Sequence, residues 1–312
     1  MDIHDDLSAF LTSRRAKLTP SQAGLPHFGG RRRVPGLRRE EVALLAGMSA
    51  EYYKRLERGN AGGVSEAVLD GVSRALHLDE AEHAHLHELV RAANEGMHPQ
   101  RQRRTKKQQL SAAMQQTIDA MSTVPVFIQN GRLDAIATNT LGRALFGPMF
   151  EDARTPVNAA RFLFLDRRSH DFYRDWENNT RQIVALLRSE AGRSPHDRNL
   201  SNLVGELCTR SELFRRLWGA HDVREHRDGL KRVHHPVVGD LDLTYQSMDL
   251  ASDRGLLMLV FSAEPGSASH ERLQLLSNWA VTHATDIARI PQHAQPEQGV
   301  RTTTLPRRAA SQ

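Results

Sequence analysis

The chain has 312 residues, enough for two domains that each bury a core of their own. Its 42 Lys and Arg against 37 Asp and Glu leave a formal charge of +5, and a single cysteine, Cys208, excludes an internal disulfide and every multi-cysteine zinc pattern. No apolar run reaches the length of a membrane span and the acidic start at Asp2, Asp5 and Asp6 does not suit a signal peptide, so a cytoplasmic protein without a membrane partner is expected.

Residues 5–17 place Leu7, Phe10, Leu11 and Ala16 at helical spacing and end in bases, which favour the negative end of a helix dipole. Residues 19–36 are rich in glycine and proline and predict an irregular arm bearing Arg31, Arg32 and Arg33. The next stretch, RREEVALLAGMSAEYYKRLERG at 38–59, has the spacing of two short helices joined by a tight turn. Leu37, Val42, Ala43, Leu45 and Ala46 form the apolar side of the first. Gly47 is placed to end it through a positive φ, and Ser49 to cap the second by accepting a backbone N–H bond. In that second helix Met48, Tyr53 and Leu56 form the inward stripe, while Ala50, Glu51, Lys54 and Arg55 point away from it. Residues 65–76 and 80–93 predict two further helices, closing a five-helix all-α domain over 1–93.

Such a unit reads double-stranded DNA, and the charge supports that reading. Arg14, Arg15, Lys17, Arg31, Arg32, Arg33, Arg38 and Arg39 follow one another without an acid, and a second cluster, Arg101, Arg103, Arg104, Lys106 and Lys107, falls in the linker at 94–107. Residues 40–100 between them hold eleven acids and five bases, so positive charge is concentrated where phosphates could meet it. In helix-turn-helix docking Ser49, Ala50, Glu51, Lys54 and Arg55 face the duplex. Arg55 suits guanine O6 and N7, and Glu51 suits cytosine N4; the alternative is a surface ion pair between the two at i and i+4. Arg38, Arg39 and the arm arginines suit phosphate.

From residue 108 the pattern changes. A helix over 110–121 leads to an apolar strand at 125–128, an Asn130-Gly131 turn and a second strand at 133–137, a hairpin signal. Helical stretches follow at 140–146, 158–163, 170–191, 198–209 and 213–220. Strands return at 231–238, at 240–246 with period-two alternation, and at 255–263 as a nearly continuous apolar run expected to be central. A helix at 271–288 closes an α+β domain over 108–288, and 289–312 is expected to be a disordered tail. Phe127, Phe146, Phe162, Tyr173 and Trp176 offer apolar material for a pocket, with Asn158 and Arg161 as candidates for a polar head group; Arg210 is an equal candidate, and the same aromatic residues suit a packed core.

The stretch GRRRVPGLRREEVALLAGMSAEYYKRLERG at 30–59 resembles the MmyB-like branch of the XRE family of helix-turn-helix regulators. The similarity continues through FLFLDRRSHDFYRDWE (162–177), LVGELCTRSELFRRLWGAHDV (203–223), HHPVVGDLDLTYQSM (234–248) and FSAEPGSAS (261–269). It implies a transcriptional regulator with a lambda-repressor-like, XRE-type DNA-binding domain and a PAS-like domain that accepts a small apolar, fatty-acyl-like molecule. A homodimer is the expected state, and no cofactor is expected beyond that ligand. Val64, Asn60 and Thr138 stand where the family commonly has proline, arginine and tryptophan.

His83 and His87 lie four apart on a helix, but such a pair holds zinc only if a third ligand converges; a solvated helix face is the expectation, and no metal. His234 and His235 on a strand point to opposite faces. Phosphate-loop, nucleophile-elbow and H-E-x-x-H signatures are missing, so a non-enzyme is expected. An enzyme carried on a DNA-binding module and a regulator whose second domain binds a protein are the alternatives.

Overall fold

The computed structural model describes residues 3–25, 36–95, 110–151, 156–220 and 228–283. Its first unit comprises α1 (Ile3–Lys17), α2 (Arg39–Leu45), α3 (Ala50–Glu57), α4 (Glu66–Ala75) and α5 (Glu80–Glu95). Local chemistry sets the boundaries. Asp5 and Asp6 stand in the first turn of α1, and Arg14, Arg15 and Lys17 in the last. Glu41 reaches back to accept from the Arg38 backbone N–H at 2.7 Å, which opens α2. Asp79 and Glu82 cap α5 reciprocally, at 2.8 and 3.2 Å. One core of Leu7, Phe10, Val42, Tyr53, Leu69 and Leu86 runs through all five helices.

Between α2 and α3 the turn is the one expected. Gly47 has φ +70°, its N–H donates to Leu44 at 3.2 Å and that of Met48 to Ala43 at 2.9 Å, the paired bonds of a Schellman end. Leu45 departs from expectation: it is exposed, as is Leu44. In a helix of seven residues only Val42 and Ala43 are buried, the backbone of the half-buried capping residue Ala46 packs against Gly71 of α4, and Leu45 falls off the edge of the stripe.

The second unit runs α6 (Ala112–Ala120), β1 (Val126–Asn130), β2 (Ala135–Thr138), α7 (Thr140–Leu145), α8 (Gly147–Phe150), α9 (Ala159–Leu165), α10 (Arg168–Phe172), α11 (Trp176–Arg193), α12 (Arg198–Arg210), α13 (Glu212–Gly219), β3 (Asp228–His235), β4 (Gly239–Asp249), β5 (Leu256–Ser262) and α14 (Ala268–Thr282). Its five strands form one antiparallel sheet in the order β2-β1-β5-β4-β3, so the apolar β5 is central. This is the expected α+β class. Along β4, Leu241, Leu243 and Tyr245 are buried and Asp242, Thr244 and Gln246 exposed, as alternation requires. The buried side meets α7 and α14, while Ile118 of α6 packs with Val126 and Ile128 on the other, which is why β1 is buried throughout.

The β1–β2 hairpin does not turn on Asn130-Gly131 alone. Asn130 Oδ1 accepts from the backbone N–H of both Arg132 and Asp134 at 3.0 Å, the positive φ falls on Leu133, and the loop spans 131–134. An asparagine side chain that organises its own loop has replaced the two-residue turn. Most of the expected linker at 94–107 and the tail at 289–312 lie outside the described residues, as do 284–288 of the expected closing helix, while α14 itself ends at Thr282 with His283 as its cap. The two units meet where α5 packs on α11: Arg193 Nε donates to Glu88 Oε1 at 2.9 Å, and His85 lies against Gly192.

Candidate nucleic-acid interface and sensor core

Helix α3 presents two different faces. Tyr53, Leu56 and Glu57 are buried, whereas Ala50, Glu51 and Arg55 are exposed. Ser49 Oγ accepts from the Tyr52 N–H at 3.2 Å, so its hydroxyl serves the helix start. Glu51 pairs with Lys54 at 3.2 Å, and the Arg55 guanidinium lies 5.0 Å from the Tyr52 ring centre. The i,i+4 pair between Glu51 and Arg55 is therefore not formed, and Arg55 stands on an aromatic platform instead.

Arg38 and Arg39 are both exposed at the start of α2, beside its unsatisfied N–H groups. Arg39 is partly committed: its Nε donates to Glu57 Oε2, and this carboxylate raises its pKa. Arg15 Nε takes Glu57 Oε1 at 2.6 Å and its Nη1 the Leu37 carbonyl at 2.8 Å. Arg15, read from the sequence as part of the basic run, is thus spent inside the domain, and Glu57 was not singled out; the available signal was an acid directly following Leu56 on the inward stripe. Arg31, Arg32 and Arg33 lie outside the described residues.

In the second unit Phe127, Phe146, Phe162, Tyr173 and Trp176 do converge, on one aromatic core beneath the sheet. Phe146 meets Phe127 at 5.3 Å and Phe261 at 5.2 Å, both edge to face, and Phe162 meets Tyr173 at 6.1 Å in the same way. Trp176 stacks on His170 at 3.9 Å and donates from Nε1 to Ser169 Oγ at 3.2 Å.

Asn158 and Arg161 do other work. The Asn158 side chain caps α9 by accepting from Ala160 and Arg161 N–H at 3.0 Å and donates to Arg132 O and Asp134 Oδ1 at 2.8 Å. Arg161 Nε is held by Glu206 at 2.8 Å, and Arg210 by the same carboxylate at 2.9 Å. Two cations reach the aromatic core: the buried Arg143 of α7, its guanidinium 4.8 Å from the Phe150 ring centre, and, at the tyrosine end, Lys231 of β3. Its Nζ donates to Asn179 Oδ1 and stands 5.6 and 5.7 Å from the rings of Tyr173 and Tyr245. The residue is half-buried, and burial of its ammonium pushes the pKa down to about 8. Burial likewise raises the pKa of the Tyr173 phenol and keeps it protonated. An ammonium and a neutral phenol at one end of an apolar core suit an acidic head group. The sequence signal was a lysine in phase with the inward residues Val233 and His235.

His235 is buried with Nε2 3.0 Å from the Ala144 carbonyl, and His234 on the opposite face pairs with Asp240 at 2.6 Å. Burial lowers the His235 pKa and favours its neutral form. No helix among the described residues is long and apolar enough to cross a membrane.

Residues 110–276, more than half of the chain, match the family model of the MmyB-like transcription regulator ligand binding domain, and residues 6–86 match that of a helix-turn-helix domain. No curated protein matches the chain.

Proposed function

Because the chain belongs to the MmyB-like transcription regulators, and so joins a DNA-binding helix-turn-helix to a ligand-binding domain, we propose that α3 reads sequence in the major groove under control of a small apolar acid held by the second domain. The observation that carries the DNA half is the outward face of α3, where Arg55 rests on Tyr52 instead of pairing with Glu51. Its guanidinium edge suits guanine, while Arg38 and the free edge of Arg39 suit phosphate. Sequencing the duplexes that the full chain selects from a random pool tests this. A recurring motif is expected; a recovered pool indistinguishable from the input overturns it.

The ligand half rests on Lys231, Tyr173 and the aromatic core beneath them. A fatty-acyl-like molecule would lay its chain against Phe127, Phe146 and Phe162 and its carboxylate against the ammonium. Extraction of the purified chain followed by mass spectrometry is expected to recover a long-chain acid; repeated recovery of none counts against the pocket. The regulator works as a homodimer on half-sites about 34 Å apart, for which the exposed Leu275 and Val281 of α14 offer apolar surface.

A further inference from the structure

We propose that Asp70, His83 and His87 form a site for one divalent transition-metal ion, of the zinc or cobalt class, between α4 and α5. His83 and His87 share one face of α5, their ring centres 4.4 Å apart. Helix α4 brings Asp70 to that face, with Oδ1 3.7 Å from His83 Nε2 and 4.0 Å from His87 Nε2. The three ligand atoms all lie within 4.8 Å of one another. Asp70 is the third ligand that a helical H-x-x-x-H pair lacks by itself.

Outer partners orient both rings. His87 Nδ1 lies 2.9 Å from Glu66 Oε2, and since a carboxylate only accepts, Nδ1 carries the proton and Nε2 turns its lone pair toward Asp70. His83 Nδ1 is 2.9 Å from Ser73 Oγ, which is placed to accept in the same manner. His87 Nε2 is shielded from solvent and meets no hydrogen-bond partner among the described residues. A buried lone pair facing a carboxylate oxygen is unfavourable until a cation stands between them.

Metal bonds of about 2.0 to 2.2 Å put tetrahedral ligands roughly 3.4 Å apart, a few tenths of an ångström closer than Asp70 stands to either ring, while the two ring nitrogens lie within 4.8 Å of each other. A small rotation of the half-exposed Asp70, with a turn of the two rings toward each other, closes these gaps. A cleft of about 370 Å³ lined by Asp70, Ser73, His77 and His83 opens beside the site and admits the ion and its completing water. Two imidazoles and one carboxylate favour a borderline ion over calcium or magnesium, which take oxygen alone. The ion would fasten α4 to α5, the helix whose other side carries His85 and Glu88 onto α11. The site does not depend on the DNA or lipid readings.

The full chain, free of any affinity tag and stripped with a chelator, is titrated with Co²⁺ and then Zn²⁺. Expected are one Co²⁺ per chain with visible d–d absorption, its displacement by Zn²⁺, and a thermal midpoint raised by about 5 °C at an ion concentration a hundredfold above Kd. Asp70→Asn and His83→Gln, the latter keeping a partner for Ser73, should lose the absorption while holding the metal-free midpoint. His234→Ala, on the far strand, should retain it. Absence of both absorption and midpoint shift in the native chain, or their survival in the His83→Gln/His87→Gln double variant, overturns the proposal.

Discussion

Arg39 and Glu57 fasten the start of α2 to the end of α3: the guanidinium Nε of one donates to the carboxylate of the other, a residue only 1 % exposed. Arg15 takes the remaining oxygen from α1, so a single carboxylate joins three helices. The arginine that suits a phosphate on one edge thus holds the turn together on the other.

Replacing Glu57 with alanine should leave the Arg15 charge, its side chain 13 % exposed, with the Leu37 carbonyl but no carboxylate, while Arg39 can turn to solvent. The expected loss is about 3 kcal/mol, the lower end for breaking a buried pair. Urea unfolding checks it. A shift below about 1 kcal/mol would mean that the three helices are held by apolar packing alone.

Arg55→Ala should weaken binding to the selected duplex by about 1 to 3 kcal/mol and change binding to random DNA far less. Fluorescence anisotropy on the two duplexes gives the comparison. Equal losses on both would reduce Arg55 to a backbone contact.

Substituting Arg31, Arg32 and Arg33 together should flatten the slope of log K against log salt by up to about 0.9 for each phosphate that the arm no longer neutralises. A slope unchanged between variant and native chain would remove the arm from the interface.

Lys231 carries a pH signature. Its folded pKa of about 8 lies below the 10.5 of an ordinary lysine, so from pH 8 upward the unfolded chain holds the extra proton and stability rises with pH. Tyr173, with its raised pKa, acts in the opposite sense above pH 10. Between pH 8 and 10 the thermal midpoint of the native chain should therefore gain on that of Lys231→Met. Lys231→Met should also emerge from purification without an acidic lipid. Parallel midpoint curves would place the ammonium in ordinary solvent.

What the sequence made legible was local. Gly47 and Ser49 announce the end of one helix and the start of the next because left-handed φ and a capping hydroxyl are properties of single residues. The alternation of β4 and the continuous apolar run of β5 likewise identify a half-buried and a central strand. Pairings between distant segments were not legible. Asp70 lies on one helix and the histidine pair on another, so the pair alone read as solvated. Lys231 meets Tyr173 only after the chain from β3 folds back over α10, whereas Asn158 and Arg161 were spoken for by Asp134 and Glu206. The Asn130-Gly131 turn misled for a subtler reason: the asparagine bonds beyond the glycine and lengthens the loop.

Gly192 gives the seam between the two halves its character. A methyl group there would sit 2.8 Å from the imidazole of His85, which is itself wedged edge-on against Phe10. The imidazole thus touches α11 on one side and the phenyl ring of α1 on the other, and close-packed contacts of this kind leave little room to give. A side chain at position 192 would therefore have to push α11 off α5 or turn His85 away from Phe10.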